Sequence, residues 1–319
     1  MKESNGGGGC WRKAFACSMK DMIKERLAII VLTYNSTEDC RKCIGQLKLQ
    51  QGITIDIIVV DNCSHDEERK KIEQICMQED VAFIPNSENR GYAAGNNIGL
   101  RYVAKQGYRY AAICNPDMEF PYHDCLKKCL DKMVEDDSIA ILAPDIVMSD
   151  GITHQNPQLD GKDNFWTILL GPYYLFMGIL RHNLPQNYAE DDWETSRYCK
   201  KVVGCFFLIR MLFLERINFM DEGTFLYCEE PILARQVLRE GMREYYFAET
   251  QAVHHHIRTE KGNPCHNMKL FQQSQLYLYK HYCGFSRWQF FWIWLTRKIG
   301  NSIWNLMLWI KYKTFKING

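Results

Sequence analysis

The chain has 319 residues, is 46% hydrophobic and 13% aromatic, and carries 39 Lys and Arg against 38 Asp and Glu. This composition excludes general disorder, and the length allows one large domain or two small ones. The formal net charge of +1 hides an asymmetry: no acid follows Glu260, so residues 261–319 carry nine bases, while the rest of the chain carries 30 bases and 38 acids, a net of −8. An acidic body of this kind does not suit a nucleic-acid partner.

Residues 1–25, with Gly6 to Gly9 and many charges but no apolar core of a signal peptide, read as a flexible leader. Leu27 to Leu32 is an unbroken apolar run, the mark of a strand covered on both faces. Ser36 offers an N-cap to a helix with Cys40, Cys43, Ile44 and Leu47 at helical spacing. Ile55 to Val60 predicts a second buried strand. Ser64 and Glu67 have the spacing of a capping box before the stripe Ile72, Ile75 and Cys76. Val81–Ile84, Tyr110–Cys114 and Ile139–Ala143 predict further strands, with helices at 93–105 and 123–135 between them. Residues 145–200 are poor in pattern and rich in Gly, Pro, Asn and Asp, and predict a long functional or mobile loop. In it Trp166 and Trp193 could close over a ligand, core packing being the plainer fate. Val202–Arg210 is another apolar run, Glu229–Glu240 a helix, Tyr245–Val253 an extended segment ending in three histidines, and Met268–Tyr282 a helix.

Strands alternating with helices indicate an α/β domain with a mostly parallel sheet. The 14 cysteines do not form a framework suited to a small secreted domain. Cys40-x-x-Cys43 lacks a second such pair, and Cys40, Cys43, Cys76, Cys125 and Cys129 take core positions, so reduced structural thiols of a cytosolic protein are expected. In the tail, Trp288, Trp292, Leu295, Ile299, Ile303, Leu306 and Ile310 recur at three and four residues. The apolar run Phe290–Leu295 is too short to span a bilayer. An aromatic, basic, acid-free helix suits an anionic membrane surface, and packing on the protein body is the alternative.

The polar clusters follow strand ends, where ligands of such sheets bind. There is no P-loop, and Thr33-Tyr34-Asn35 stands where a dinucleotide fold has its glycine turn, which argues against an NAD-type oxidoreductase. Asp61 ends the second strand and can accept hydrogen bonds from a ribose or base edge, or simply cap the next helix. Asp117, after Asn115 and Pro116, can hold Mg²⁺ or Mn²⁺ against a diphosphate. Glu229 and Glu230 open a helix, either as caps for its dipole or as a general base for an acceptor hydroxyl. One of His254, His255 and His256 could ligate a metal.

Five segments in order now resemble a known family. They are Ala28-Ile29-Ile30-Val31-Leu32-Thr33-Tyr34-Asn35 with Ile58-Val59-Val60-Asp61-Asn62-Cys63-Ser64; Asn89-Arg90-Gly91-Tyr92-Ala93-Ala94-Gly95-Asn96-Asn97-Ile98-Gly99; Cys114-Asn115-Pro116-Asp117; Phe225-Leu226-Tyr227-Cys228-Glu229-Glu230; and Val253-His254-His255-His256. Together they resemble family 2 glycosyltransferases, in the rhamnosyltransferase-like branch with an N-P-D metal motif, over residues 27–260. The resemblance implies a GT-A (Rossmann-like nucleotide-diphospho-sugar transferase) fold, a nucleotide-sugar donor and an inverting transfer. By that resemblance Thr33, Tyr34, Asn35, Asp61, Asn62, Arg90, Gly91, Asn96, Asn97 and Asn115 bind the nucleotide sugar. Asp117 and His254 hold Mg²⁺ or Mn²⁺, with His256 the alternative to His254. Glu230, where the family often has Asp, is the base, with Glu229 the alternative. A further family acid two residues on is absent, that stretch reading Pro231-Ile232-Leu233.

The implied organisation is a leader (1–25), a glycosyltransferase domain (26–260) made of a nucleotide-sugar-binding half (26–145) and an acceptor or catalytic half (146–260), and a basic, aromatic, helical C-terminal extension (261–319). The implied function is transfer of a hexosyl or deoxyhexosyl group to a saccharide or lipid-linked acceptor in surface polysaccharide synthesis. The protein is then expected in the cytoplasm, peripheral on the inner face of the membrane through residues 286–319. A carbohydrate-binding or scaffold protein that kept the fold and lost turnover is the competing expectation.

Overall fold

The computed structural model describes residues 26–158, 164–180, 192–255, 264–300 and 302; the expected leader, His256 and the tail beyond residue 302 lie outside the described residues. The N-terminal elements are β1 (Arg26–Thr33), α1 (Thr37–Lys48), β2 (Thr54–Asp61), α2 (Asp66–Gln78), β3 (Ala82–Pro85), α3 (Tyr92–Lys105), β4 (Tyr110–Cys114), β5 (Met118–Glu119), α4 (Cys125–Glu135) and β6 (Ile139–Met148). They are followed by α5 (Phe165–Leu180), β7 (Arg197–Cys199), β8 (Phe206–Arg210), α6 (Met211–Arg216), α7 (Glu229–Arg239), β9 (Arg243–His254) and α8 (Pro264–Tyr282), and by a last helix, α9, over 287–300.

The described strands form one sheet in the order β3-β2-β1-β4-β8-β6-β9-β5, with β7 on β9. β1, β2, β3, β4, β6 and β9 point one way, and β5, β7 and β8 run against them. The unbroken apolar run of β1 follows from cover on both faces. Leu27, Ile29 and Val31 enter one core with α1, α2 and α4; Ala28 and Ile30 enter a second with α3, α6 and α7. All five are fully buried, each apolar side chain contributing roughly 1–3 kcal/mol. On α3, Gly95 and Gly99 share one face, and a Cβ on either would come within 2.7 Å of Leu32 or Ile30. The helix therefore lies close over β1.

Three sequence expectations change. Residues 145–200 are not one long loop: β6 runs on to Met148, α5 follows, and β7 joins the sheet. Pro144 hid the strand's continuation, and the ladder absorbs it with an irregularity between Pro144 and Asp145. Gly171 and Pro172 hid α5, a helix with Pro inside it. The expected capping box at Ser64 does not form either; α2 starts at Asp66, and the Ser64 hydroxyl instead accepts the Asn35 N–H at 2.8 Å.

The described cysteines are free thiols, and Cys40, Cys43, Cys76, Cys125 and Cys129 are buried as expected. A third core joins Ile168 of α5, Cys228 and Ile232 at the start of α7, Leu278 and Tyr279 of α8, and Ile293 of α9. The tail helix thus divides its residues. Ile293 packs on the body, while Trp288, Phe291, Trp292 and Trp294 are exposed. Among the described residues no helix is long and apolar enough to cross a membrane.

Candidate functional site

At the carboxyl ends of β1 and β2, Thr33 and Asp61 are register partners. The two turns are laced together. Thr33 Oγ1 and Ser36 Oγ are 3.0 Å apart, and Asn35 Oδ1 accepts the His65 N–H at 2.9 Å. Asn35 sits at φ 52°, a left-handed conformation that asparagine tolerates. Tyr34 is half exposed, its ring on the surface beside these turns. Asp61 is fully buried; its carboxylate accepts the Ser64 N–H and pairs with Arg69 Nε at 2.9 Å. This acid shapes the turn and holds Arg69.

The segment before α3 is built on asparagines. Asn62 Nδ2 donates to Asn89 Oδ1 and Gly91 O, and Asn62 Oδ1 accepts from Asn86. Gly91 has φ 103°, and a Cβ there would lie 2.2 Å from Phe225 O, so only glycine fits between this loop and the segment before α7. Arg90 reaches Glu222 at 3.4 Å. Asn96 and Asn97 are fully buried. Asn96 donates to Tyr92 O, while Asn97 donates to Met220 O and Glu222 Oε1 and accepts the Met220 N–H. Asn97 is thus a strut between α3 and the 220–222 segment.

Asp117 and His254 are brought together by a two-residue strand that sequence reasoning missed. β5 pairs antiparallel with β9, Met118 opposite His254, and the His255 N–H donates to Asp117 O. His254 Nε2 lies 3.4 Å from Asp117 Oδ1, and its Nδ1 lies 2.9 Å from Gln155 Oε1. Burial opposes charge on this ring, but hydrogen bonds to Asp117 and Cys205 outweigh it and raise its pKa to about 10. His255 points elsewhere and pairs with Glu119 at 2.6 Å. Among the described residues no group of three or more His, Cys, Asp and Glu converges as a metal cage. A half-buried carboxylate and an imidazole converging from two elements nevertheless fit a hard cation that takes its other ligands from phosphate oxygens and water.

The acids at the start of α7 differ in environment. Tyr227 and Cys228, at φ 75° and 67°, form a left-handed pair that turns the chain into the helix. Glu229 is buried, and that burial, followed by the neighbouring Glu230, raises its pKa to about 8. Glu244, fully enclosed nearby, is raised well above the carboxylate range by burial. Glu230 is half-buried and accepts the Gly204 N–H on Oε1 at 3.2 Å. The Tyr92 hydroxyl donates to Gly204 O at 2.6 Å and reaches Asn115 Oδ1 at 3.2 Å. One phenol therefore ties the N-P-D strand end to the seat of Glu230. Sequence reasoning missed Tyr92, Gly204 and Gln155 in these roles; an aromatic in the glycine-rich segment was the one available signal. Trp193 stacks on the His154 ring at 4.4 Å, and Trp166 is exposed.

Comparison with known proteins places the sequence in a family. The sequence model of glycosyl transferase family 2 matches residues 28–211. A low-salt glycan biosynthesis hexosyltransferase, Agl10 of Haloferax volcanii, is 27% identical over 241 residues, 75% of this chain and 70% of that protein. The rhamnosyltransferase WbbL of Escherichia coli is 26% identical over 233 residues, 71% of this chain and 82% of that protein. The succinoglycan biosynthesis protein ExoO of Rhizobium meliloti is 28% identical over 126 residues, 39% of this chain and 35% of that protein.

Proposed function

The chain belongs to glycosyl transferase family 2 and is a glycosyltransferase, and we propose that it is an inverting enzyme moving a hexosyl or deoxyhexosyl group from a nucleotide sugar to a lipid-linked saccharide. The observation that carries the mechanism is the chain Asn115–Tyr92–Gly204–Glu230, which sets a half-buried carboxylate beside the strand end bearing Asp117. Tyr34, Asn35 and the Asn62–Gly91 loop line the donor side at the ends of β1 and β2. Asp117 and His254, 3.4 Å apart, would hold Mg²⁺ or Mn²⁺, which would neutralise the leaving diphosphate.

Glu230 takes the proton of the acceptor hydroxyl. That oxygen attacks the anomeric carbon opposite the leaving group and inverts it. Glu229 is the less accessible candidate, buried where Glu230 is only half-buried, and burial disfavours its charged form. Relatives named for hexosyl and rhamnosyl transfer support this donor class. The basic, aromatic tail supports peripheral attachment to the inner face of the cell membrane, where a lipid-linked acceptor would be found.

The test is a screen of nucleotide sugars for thermal stabilisation, with and without Mn²⁺, followed by transfer assays with the stabilising donors. A native-state ligand raises apparent stability by mass action. Stabilisation by one donor class and transfer of its sugar are expected. Stabilisation by nicotinamide dinucleotides instead, or inert binding of every sugar donor, would contradict the reading.

A further inference from the structure

We propose that α5 and α9 together form a single docking face for an anionic lipid bilayer; this deepens the reading of a tail that attaches the enzyme to a membrane, and rests on it. Over its sixteen residues α5 carries no charged side chain. Only Ile168 among its described side chains is buried, and Leu170, Tyr173 and Tyr174 are exposed, the tyrosines by 57% each. On α9, Trp288 is 67% exposed, Ile299 51%, and Phe291, Trp292 and Trp294 are exposed as well. The Trp288, Phe291 and Trp292 rings sit within 6 Å of one another.

The two helices touch. A Cβ on Gly171 would lie 3.2 Å from the Arg297 guanidinium, and one on Gly300 would lie 3.0 Å from Pro172. Arg297 is held between the helices over the Tyr279 ring, whereas Arg287 and Lys298 are exposed. Soluble surfaces rarely gather this many large apolar side chains. Tyr and Trp with bases suit the headgroup level of a bilayer.

Charge selects the occupant. Neither helix contains an acid, so a second copy packed on the same face would set like charges against each other. Anionic headgroups complement it. At about 24 Å, α5 is shorter than the hydrocarbon core and lies in the interface. The third core ties Ile168 and Ile293 to Cys228 and Ile232, on either side of Glu229 and Glu230. The face is thereby fixed relative to the proposed base.

The experiment is co-sedimentation of the full chain with phosphatidylcholine vesicles, alone or with about 30% phosphatidylglycerol, comparing wild type with Y173A/Y174A and W288A/F291A. Donor-induced thermal stabilisation verifies that each variant is folded. Both double variants are expected to lose about tenfold in partitioning to anionic vesicles, to keep donor stabilisation, and to transfer sugar normally to a lipid-free acceptor. Loss in W288A/F291A with wild-type binding by Y173A/Y174A would overturn the two-helix face and leave the tail reading standing. No binding by wild type would overturn both. Equal binding to neutral vesicles, or a dimer in solution that Y173A/Y174A dissolves without altering vesicle binding, would overturn the choice of occupant.

Discussion

His254 Nε2 stands 3.4 Å from Asp117 Oδ1 because the short strand β5 pairs Met118 with His254 at the edge of the sheet. Residues far apart in the chain so present a carboxylate and an imidazole to one point. Asp117→Asn should abolish the gain in donor affinity that Mn²⁺ produces and lower transfer about 100-fold or more. Gln155→Ala, which releases the other ring nitrogen, should weaken Mn²⁺ binding by about tenfold. Calorimetric titration of Mn²⁺ and a nucleoside diphosphate checks both; full activity of Asp117→Asn in EDTA would contradict the assignment.

Gly91→Ala should destabilise the fold by about 3 kcal/mol or more. Its methyl group meets the backbone at Phe225, 2.2 Å away, and its φ of 103° is one that L side chains rarely adopt. Urea unfolding measures this, and a midpoint near that of wild type would show that the loop yields cheaply.

Asn97→Ala should cost about 2–3 kcal/mol by stranding the buried backbone N–H and C=O of Met220. Donor affinity of the folded fraction should change little, since the side chain is engaged by Met220 and Glu222. Affinity falling with stability intact would return Asn97 to the donor pocket.

Glu229 gives a pH dependence with a definite sign. Its pKa rises from 4.5 to about 8 in the folded chain, so the folded state keeps a proton that the unfolded state has lost. The burial penalty is absent below pH 4.5 and grows as pH rises towards 8. Glu229→Gln should therefore match wild-type stability near pH 4.5 and exceed it by roughly 2–4 kcal/mol at pH 9. Glu244, raised by burial as well, is present in both proteins and drops out of the difference. Thermal melts across this range make the comparison, and a constant difference would place Glu229 in water.

Much of the fold was legible in the sequence because its signals are local. The apolar runs of β1, β2 and β4 report cover on both faces, and Glu229 opens its helix where the acid pair predicts. The motifs single out Asp117 and His254, two residues that the fold brings within 3.4 Å of each other. What stayed hidden is long-range. β5 has two residues and exists only by pairing with β9. Ser64 had the spacing of a cap, yet its hydroxyl serves Asn35 from another turn. Gly171 and Pro172 read as loop punctuation, although α5 is stabilised by packing on α9 and the third core. Asp61 and Asn97 are expected as donor contacts from the motif resemblance, and a local motif says nothing of the bonds Asp61 makes to Arg69 or Asn97 to Met220. The Asp221 carboxylate, which accepts the Tyr277 hydroxyl at 2.9 Å and that of Tyr282, clamps α8 to the segment leading to Glu229, and no local pattern marks it.

The most direct test of the account is turnover and donor affinity of Glu230→Gln, measured side by side with wild type. The substitution keeps the acceptor for the Gly204 N–H and removes the base. Transfer should fall about 100-fold or more while donor affinity stays within about twofold. Transfer near the wild-type rate would contradict Glu230 as the group that takes the acceptor's proton.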